Sequence, residues 1–456
     1  MIPFIEVLDR AFEGPYCPEQ DFDMKILVPK LQELIQKYKV KFDPENPVSS
    51  DDDLADRVFR AGLELYAEVG TYCTGTERII KFTESEILDA LRTAPRETEY
   101  GEGNERKKMV PRRPESEVPP WCYIGACAIP VSSDEVFFSL MKGCASIALA
   151  DSMTTPTILM IDGRNVRGGT PLEILACIRS VKLSREACQA AGRPGLPLMN
   201  SIATASSDVG KIGGGHFGLL PSDGWQIGAL AELKINFQRL NEVQFTLSLG
   251  GNIIAEGGPL LGGYAGGPEG VAIVNVAYHL NSILVLRGRC HLTFPLHIRT
   301  TCSSSRDLLW AISVSSQAIS RNSHFPFMTV PFTAAGPVEE MCFYEAAATV
   351  TNCVVSGSSL EALAIHGIVK TDLQSPVGSQ FAAEVGHAVA GMTRKEANGI
   401  VKKLLGLYED RIGNPPVGKR YHESYDMKTG KPFPETQRLY EEMKKKIVKL
   451  GINFKD

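Results

Sequence analysis

The sequence predicts an α/β fold, a (β/α)8 TIM barrel preceded by an N-terminal helical extension. From Pro120 to Leu407, short apolar runs that end near Gly, Pro, Ser or Asn alternate with segments of helical periodicity. This alternation is typical of parallel strands that are connected by helices. Seven or eight such units fit a closed barrel better than an open sheet.

Each predicted strand is a short apolar run. The strands are expected at residues 121–129, 157–162, 197–203, 243–254, 290–298, 325–332 and 362–368. Helices are expected between them, at residues 135–150, 171–191, 225–240, 270–287, 304–321, 339–356 and 381–407. One strand of the eight is not evident, and we expect it before residue 120 or near residues 369–380.

The flanking regions differ from this pattern. Residues 1–119 are expected to form a helical extension and lead-in, with helices at 23–38, 50–70 and 83–93 and a Pro-rich irregular stretch at 95–119. Thr83 followed by Glu86 is a capping-box signature. The barrel domain is expected at residues 120–410, and residues 411–456 are expected to form a helical tail that packs on it.

Composition narrows the function classes. The chain has 456 residues, 43% hydrophobic and 22% charged, and a net charge of −5. Its scattered Lys and Arg residues argue against a nucleic-acid partner. The N-terminus does not resemble a signal peptide, and no apolar stretch is long enough to cross a membrane. Eleven cysteines without a C-x-x-C pair indicate reduced thiols in a cytoplasm, without a disulfide or structural zinc.

Barrel enzymes place their functional residues just after the strands, at the C-terminal face. The polar or unusual residues at these places are Met199, Asn200, Glu256, His297, Arg299, Thr329, Val330 and His366. Glu256 is prominent because glycine-rich segments flank it and let the backbone approach a ligand. Glu256 is read either as a site carboxylate or as a helix-capping carboxylate, and His297 as a base, a ligand or a buried structural histidine.

Two glycine-rich segments resemble a phosphate-binding loop. They are residues 213–215 and the GGYAGG run at residues 262–267. Neither has dinucleotide-binding or P-loop spacing, so a nucleotide cofactor is not favoured. Pattern alone therefore predicts a barrel enzyme with its site near Glu256.

Several segments, in order and over almost the whole chain, resemble the monomethylamine methyltransferase family of corrinoid-dependent methylamine methyltransferases. They are TYCTGTERIIKFTESEI (71–87), AGRPG (191–195), ELKI (232–235), GGYAGG (262–267), HIR (297–299), GPVEEMC (336–342), LYE (407–409) and YDMKT (425–429). The resemblance implies a barrel enzyme that moves a methyl group from methylamine to the corrinoid of a separate protein.

The resemblance also implies a changed site. In that family a pyrrolysine follows the R-P-G turn by four positions, and its electrophilic ring is thought to hold the amine; here Met199 stands at that position. The polar residues around pyrrolysine, two glutamates and a glutamine, correspond to Gln226, Glu256 and Val330. Only Glu256 keeps its identity. Methionine forms no covalent amine adduct, so a different donor is expected.

The resulting hypothesis is a pyrrolysine-independent methyltransferase that uses a small cationic or quaternary N-methylated amine. Glu256 is the expected catalytic residue, and the expected substrate-binding residues are Met199, Asn200, Gln226, Val330, His297 and Phe332. Trp225, Phe327 and Phe332 offer ring faces to the cation if they face inward.

The expected acceptor is the Co(I) corrinoid (cobalamin) of a partner protein, because the chain has no D-x-H-x-x-G segment to ligate cobalt. We expect the chain itself to bind no metal and to form a homo-oligomer. Two alternatives stay open. One is methyl transfer from an O- or S-methyl donor, and the other is a non-catalytic barrel that binds an amine or a corrinoid protein.

Overall fold

The computed structural model describes residues 2–200, 204–362, 364–365 and 370–454. Its centre is a sheet of eight strands in which every pairing is parallel. In chain order they are β1 (Cys122–Gly125), β2 (Ser152–Thr154), β3 (Leu198–Asn200), β4 (Gly224–Gly228), β5 (Asn252–Glu256), β6 (Cys290–Thr293), β7 (Phe327–Thr329) and β8 (Ser359–Glu361).

Neighbours in the chain are neighbours in the sheet, and β8 pairs with β1, as a barrel requires. Among the described residues no ladder joins β3 to β4, which form the two ends of the strand order. A Cβ at Gly224 of β4 would nevertheless lie 3.0 Å from the Cα of Met199 in β3, so the two strands are adjacent. The predicted α/β barrel is confirmed.

One helix follows each strand. They are α1 (Asp134–Ala145), α2 (Pro171–Ala190), α3 (Asp208–His216), α4 (Phe237–Ser248), α5 (Pro268–Leu284), α6 (Arg306–Asn322), α7 (Glu340–Val355) and α8 (Pro376–Ala388). The helix predicted over 381–407 is instead α8 and a separate helix, Arg394–Leu405. Gly391 lies between them with φ +89, a conformation that suits glycine.

The main error of the sequence prediction concerns β4. The missing strand lies neither before residue 120 nor near 369–380, but at Gly224–Gly228, in a segment predicted as helix. Residues 243–248, predicted as strand, belong to α4, whose first turn is capped by the Asn236 side chain accepting the Arg239 N–H at 3.0 Å. Short apolar runs have no periodicity that separates buried strand from buried helix, so tertiary closure decides.

Two further strand positions were wrong by a few residues. The second strand is Ser152–Thr154, whereas the predicted run at 157–162 forms loop strands at Thr157–Ile158 and Met160–Ile161. The last strand ends at Glu361, just before the run predicted to begin at residue 362. Both predictions mistook apolar residues of the loops above the barrel for the barrel strands.

The loops after the strands pair two by two and form a second layer above the C-terminal mouth. Each pair is a short parallel ladder. The pairs are Pro130–Val131 with Thr157–Ile158, Leu260–Leu261 with Leu296–His297, and Phe332–Thr333 with Ala364–Ile365.

The N-terminal region is largely helical, as predicted. Its main helices are Phe4–Glu13, Val28–Lys37, Asp52–Val69 and Glu84–Thr93, with a π-helical turn at Phe22–Leu27. The capping box is confirmed: Thr83 Oγ1 accepts the Glu86 N–H at 3.3 Å, and Glu86 Oε2 accepts the Thr83 N–H at 2.8 Å. The stretch predicted as irregular contains a hairpin, Thr98–Tyr100 with Lys107–Met109.

The C-terminal residues form helices Tyr421–Ser424 and Pro434–Leu450. The last helix contacts the barrel helices through Lys446 Nζ, 2.7 Å from Glu340, and Lys444 Nζ, 2.8 Å from Glu384. The division into extension, barrel and tail stays a prediction. In the described part of the chain, no helix has the length and apolar character needed to cross a membrane.

Candidate active site

Strand alternation decides which side chains enter the barrel. On β5, Ile253 and Ala255 pack outward with the helices, whereas Ile254 belongs to the apolar cluster inside the barrel. Glu256, two positions after Ile254, therefore points inward at the C-terminal end of the strand. Strand β5 thus places the Glu256 carboxylate at the barrel mouth.

The Glu256 carboxylate is half-buried, and it forms no side-chain hydrogen bond with the residues that the structure describes. Its Oε2 lies 3.3 Å from the position that a Cβ would take at Gly228 of β4, so the carboxylate covers a residue without a side chain. Within the described residues it accepts no helix N–H and forms no ion pair. The helix-capping alternative therefore finds no support in these contacts.

Gln226 links opposite sides of the barrel. Its Oε1 accepts a hydrogen bond from the Tyr123 hydroxyl of β1 at 3.1 Å. Its backbone carbonyl accepts a hydrogen bond from the buried ammonium of Lys211, which also lies 3.1 Å from Glu242. Burial lowers the pKa of Lys211. Gln226 is thus fixed in place through both its backbone and its side chain.

Met199, Val330 and Phe332 belong to one apolar cluster inside the barrel. Met199 is completely buried and lies where the β2–β3 register shifts. The Val330 N–H donates to the Thr293 carbonyl at 3.0 Å, and the Phe332 ring meets Phe294 edge-on, with centroids 6.5 Å apart. These residues provide apolar wall rather than polar contacts.

Glu361 is an acid that the sequence analysis missed. It is the last residue of β8, and its side chain is on the inward side because Leu360 packs outward. Burial, together with the nearby charge of Glu256, raises its pKa to about 8, and the Cys127 thiol donates a hydrogen bond to it. The polar-apolar-polar pattern at residues 359–361 could have identified Glu361 as an inward residue of a strand, but the predicted strand began at residue 362.

Comparison with known proteins identifies the family. The family model described as monomethylamine methyltransferase MtmB matches residues 2–452. Monomethylamine methyltransferase MtmB3 of Methanosarcina barkeri is 32% identical over 98% of this chain and 97% of its own length. MtmB of Methanosarcina mazei is 33% identical with the same coverage. The chain belongs to the monomethylamine methyltransferase MtmB family.

Solved structures agree. The crystal structure of the Methanosarcina barkeri monomethylamine methyltransferase has 32% identity and a TM-score of 0.95, covering 99% of this chain and 98% of that one. A hydroxylamine complex of MtmB has 31% identity and the same TM-score and coverage. The MtmB family assignment confirms the resemblance seen in the sequence, and with it the enzyme class, a corrinoid-dependent methyltransferase that works with a separate corrinoid protein.

Some residues expected at the site of this MtmB family member lie elsewhere. Trp225 is on the outer face of β4, edge-on to Phe245 at 5.5 Å, and Phe327 packs outward near His279 at 6.1 Å. Neither ring faces the barrel interior, because each residue is the immediate neighbour of an inward residue on its strand and so points to the opposite side. Tyr123 supplies an inward aromatic ring instead.

His297 and Asn200 are at the mouth but have local roles. His297 lies in a loop strand, and its Nδ1 accepts the Arg299 N–H at 3.1 Å, which stabilises a turn. The Asn200 carbonyl accepts the Thr155 N–H and hydroxyl, both at 3.0 Å. His366 lies outside the described residues. Arg299 is exposed.

The glycines at 213–215 serve packing rather than phosphate binding. They lie inside helix α3, and a Cβ at Gly214 would overlap Cys177 of α2. All eleven cysteines are free thiols. Among the described residues, no group of three or more His, Cys, Asp or Glu side chains is arranged to hold a metal ion.

Proposed function

We propose that this family member transfers a methyl group from a small cationic N-methylated amine to the corrinoid of a partner protein, without pyrrolysine. Two features support the proposal: a buried methionine stands at the position that the sequence resemblance assigns to the family's reactive residue, and the inward Glu256 carboxylate forms no ion pair within the described residues. Met199 offers no electrophile to an amine. Glu256 offers a negative charge to a cation.

The chemistry suits a cationic donor. When the methyl group departs, the carbon–nitrogen bonding pair stays on nitrogen, so an ammonium donor leaves as a neutral amine and needs no covalent activation. The corrinoid supplies the nucleophilic cobalt that accepts the methyl group. The chain's own residues bind and orient the donor, and Glu256 stabilises its positive charge.

The residues inside the barrel are suited to binding and orienting a methylated cation. Met199, Val330 and Phe332 give an apolar wall for methyl groups, and Gln226 is held rigidly beside them by Tyr123. Exposed apolar side chains of the mouth loops, among them Met160, Tyr264 and Ile298, leave this end accessible to a partner. The residues present therefore fit a donor pocket that a corrinoid protein covers.

The test is a donor screen with purified protein and reduced free cobalamin, following methylcobalamin by absorbance. The donors are methylammonium, dimethylammonium, trimethylammonium and tetramethylammonium, with methanol and dimethyl sulfide as neutral competitors. We expect an enzyme-dependent rate with at least one ammonium donor and none with the neutral ones. Activity with only the O- or S-donor would establish the alternative donor class, and no activity with any donor or with the partner corrinoid protein would favour a binding barrel.

A further inference from the structure

Glu361 is a buried acid without a cationic partner. It is 4% exposed, and no lysine or arginine forms an ion pair with it among the described residues. The polar side chain beside it within the described residues is the thiol of Cys127, a weak donor that leaves most of the carboxylate's acceptor sites unused. Burying an ionised carboxylate in this way is costly, so the group keeps its proton unless a compensating charge arrives.

Glu361 shares its surroundings with Glu256. The charge of Glu256, from β5, acts on Glu361 of β8 and on both Tyr123 and Cys127 beside it. The β8–β1 register sets Glu361 opposite Tyr123, whose hydroxyl binds Gln226. Glu256 and Glu361 are the inward last residues of β5 and β8, so the two carboxylates lie at the same end of the barrel and within electrostatic range of each other.

Thr154 adds a third polar group at this level. It is the last residue of β2 and 1% exposed, and its hydroxyl lies close to the Tyr123 hydroxyl but has no hydrogen bond of ordinary geometry within the described chain. Met153 packs outward, so Thr154 faces inward beside β1. Lys211, a buried cation whose charge interacts with that of Glu256, is held by Glu242 and the Gln226 carbonyl. Within the described residues no lysine or arginine forms an ion pair with Glu361.

We propose that Glu361 is a second substrate-binding carboxylate, which together with Glu256 binds the ammonium group of the methyl donor. This inference rests on the proposed function and assigns the residues that select its substrate. Two carboxylates select a cation over a neutral isostere more strongly than Glu256 alone does, because a bound cation also stabilises the ionised form of Glu361. Glu361 thus determines specificity by charge.

Proton release is the measurable consequence. The pKa of Glu361 is about 8 in the free protein, so near neutral pH most molecules carry its proton, and a bound cation displaces it. Tyr123 and Cys127 stay protonated, since burial raises the pKa of both. Affinity for tetramethylammonium, whose charge is fixed, should rise up to tenfold per pH unit between pH 6 and 8 and then level off.

The experiment is isothermal titration calorimetry of the full chain with methylammonium, dimethylammonium, trimethylammonium and tetramethylammonium. It is run at pH 7 in two buffers of different ionisation enthalpy. We expect at least one ion to bind with release of close to one proton. Glu361→Gln, which keeps the shape, should weaken that binding at least tenfold and abolish the proton release. Exposed Glu135→Gln, at the start of α1, is the matched control and should change neither.

Three results would overturn the proposal: no ion binds, proton release is absent in the wild type, or Glu361→Gln leaves both quantities unchanged. Thermal melting checks that the variant folds, and if it does not, the wild-type pH dependence and proton release decide alone. The donor screen separates this proposal from the proposed function. Methyl transfer from an ammonium donor with unaltered binding in Glu361→Gln rejects only the role of Glu361, whereas cation binding without methyl transfer rejects only the methyltransferase activity.

Discussion

Replacing Glu256 with glutamine tests the centre of the proposed function. The change keeps the side chain's shape over Gly228 but removes its charge. At about 4 Å, two unit charges interact by about 4 kcal/mol at an effective dielectric constant of about 20. Glu256 is half-buried, so solvent screening reduces this to roughly 2 kcal/mol, which is about thirtyfold in rate.

The assay is methylcobalamin formation with the ammonium donor that the screen identifies, measured as kcat/KM for both proteins. Folding should be nearly unaffected, because the Glu256 carboxylate holds no hydrogen bond within the described structure. Glu135→Gln serves again as the matched control and should keep the wild-type rate. An unchanged rate with an unchanged melting temperature would refute the reasoning and leave Glu256 without a role in binding the cation.

Three further outcomes follow from other parts of the structure. Met199→Lys should not create methylamine activity in the cobalamin assay, because an unmodified lysine lacks an electrophilic ring; a gain would contradict the proposal. Gly214→Ala should destabilise the protein by about 1–3 kcal/mol in urea unfolding, because the added methyl group would overlap Cys177. Gly399→Ala should stabilise the protein by up to about 1 kcal/mol, because Gly399 lies at an exposed helix position with open space around it. Burial lowers the pKa of His291 to about 4, below its unfolded value, so the contribution of this histidine to stability is lost as pH falls. The change in the free energy of urea unfolding from pH 7 to pH 5 should therefore be about 2 kcal/mol more favourable in His291→Gln than in the wild type.

The sequence by itself determined the fold class and predicted a site near Glu256. Alternating apolar runs and helical segments are a local property, and so is the capping box at Thr83 and Glu86, which the structure reproduces. The motif series gave the family, and the position after the R-P-G turn identified Met199. Glu256 stood out because an acid between glycine-rich segments at a strand end is visible without coordinates.

Only the tertiary structure decided which short runs are barrel strands and which side chains point inward. The segment Gly224–Gly228 is too short to show a periodicity of its own, and it is a strand because the barrel needs one between β3 and β5. A shift of one residue reverses every side chain of a strand, so Trp225 faces outward and Glu361, missed by one position, points into the barrel. Residues far apart in the chain meet because the sheet closes, and closure is a property of the whole fold.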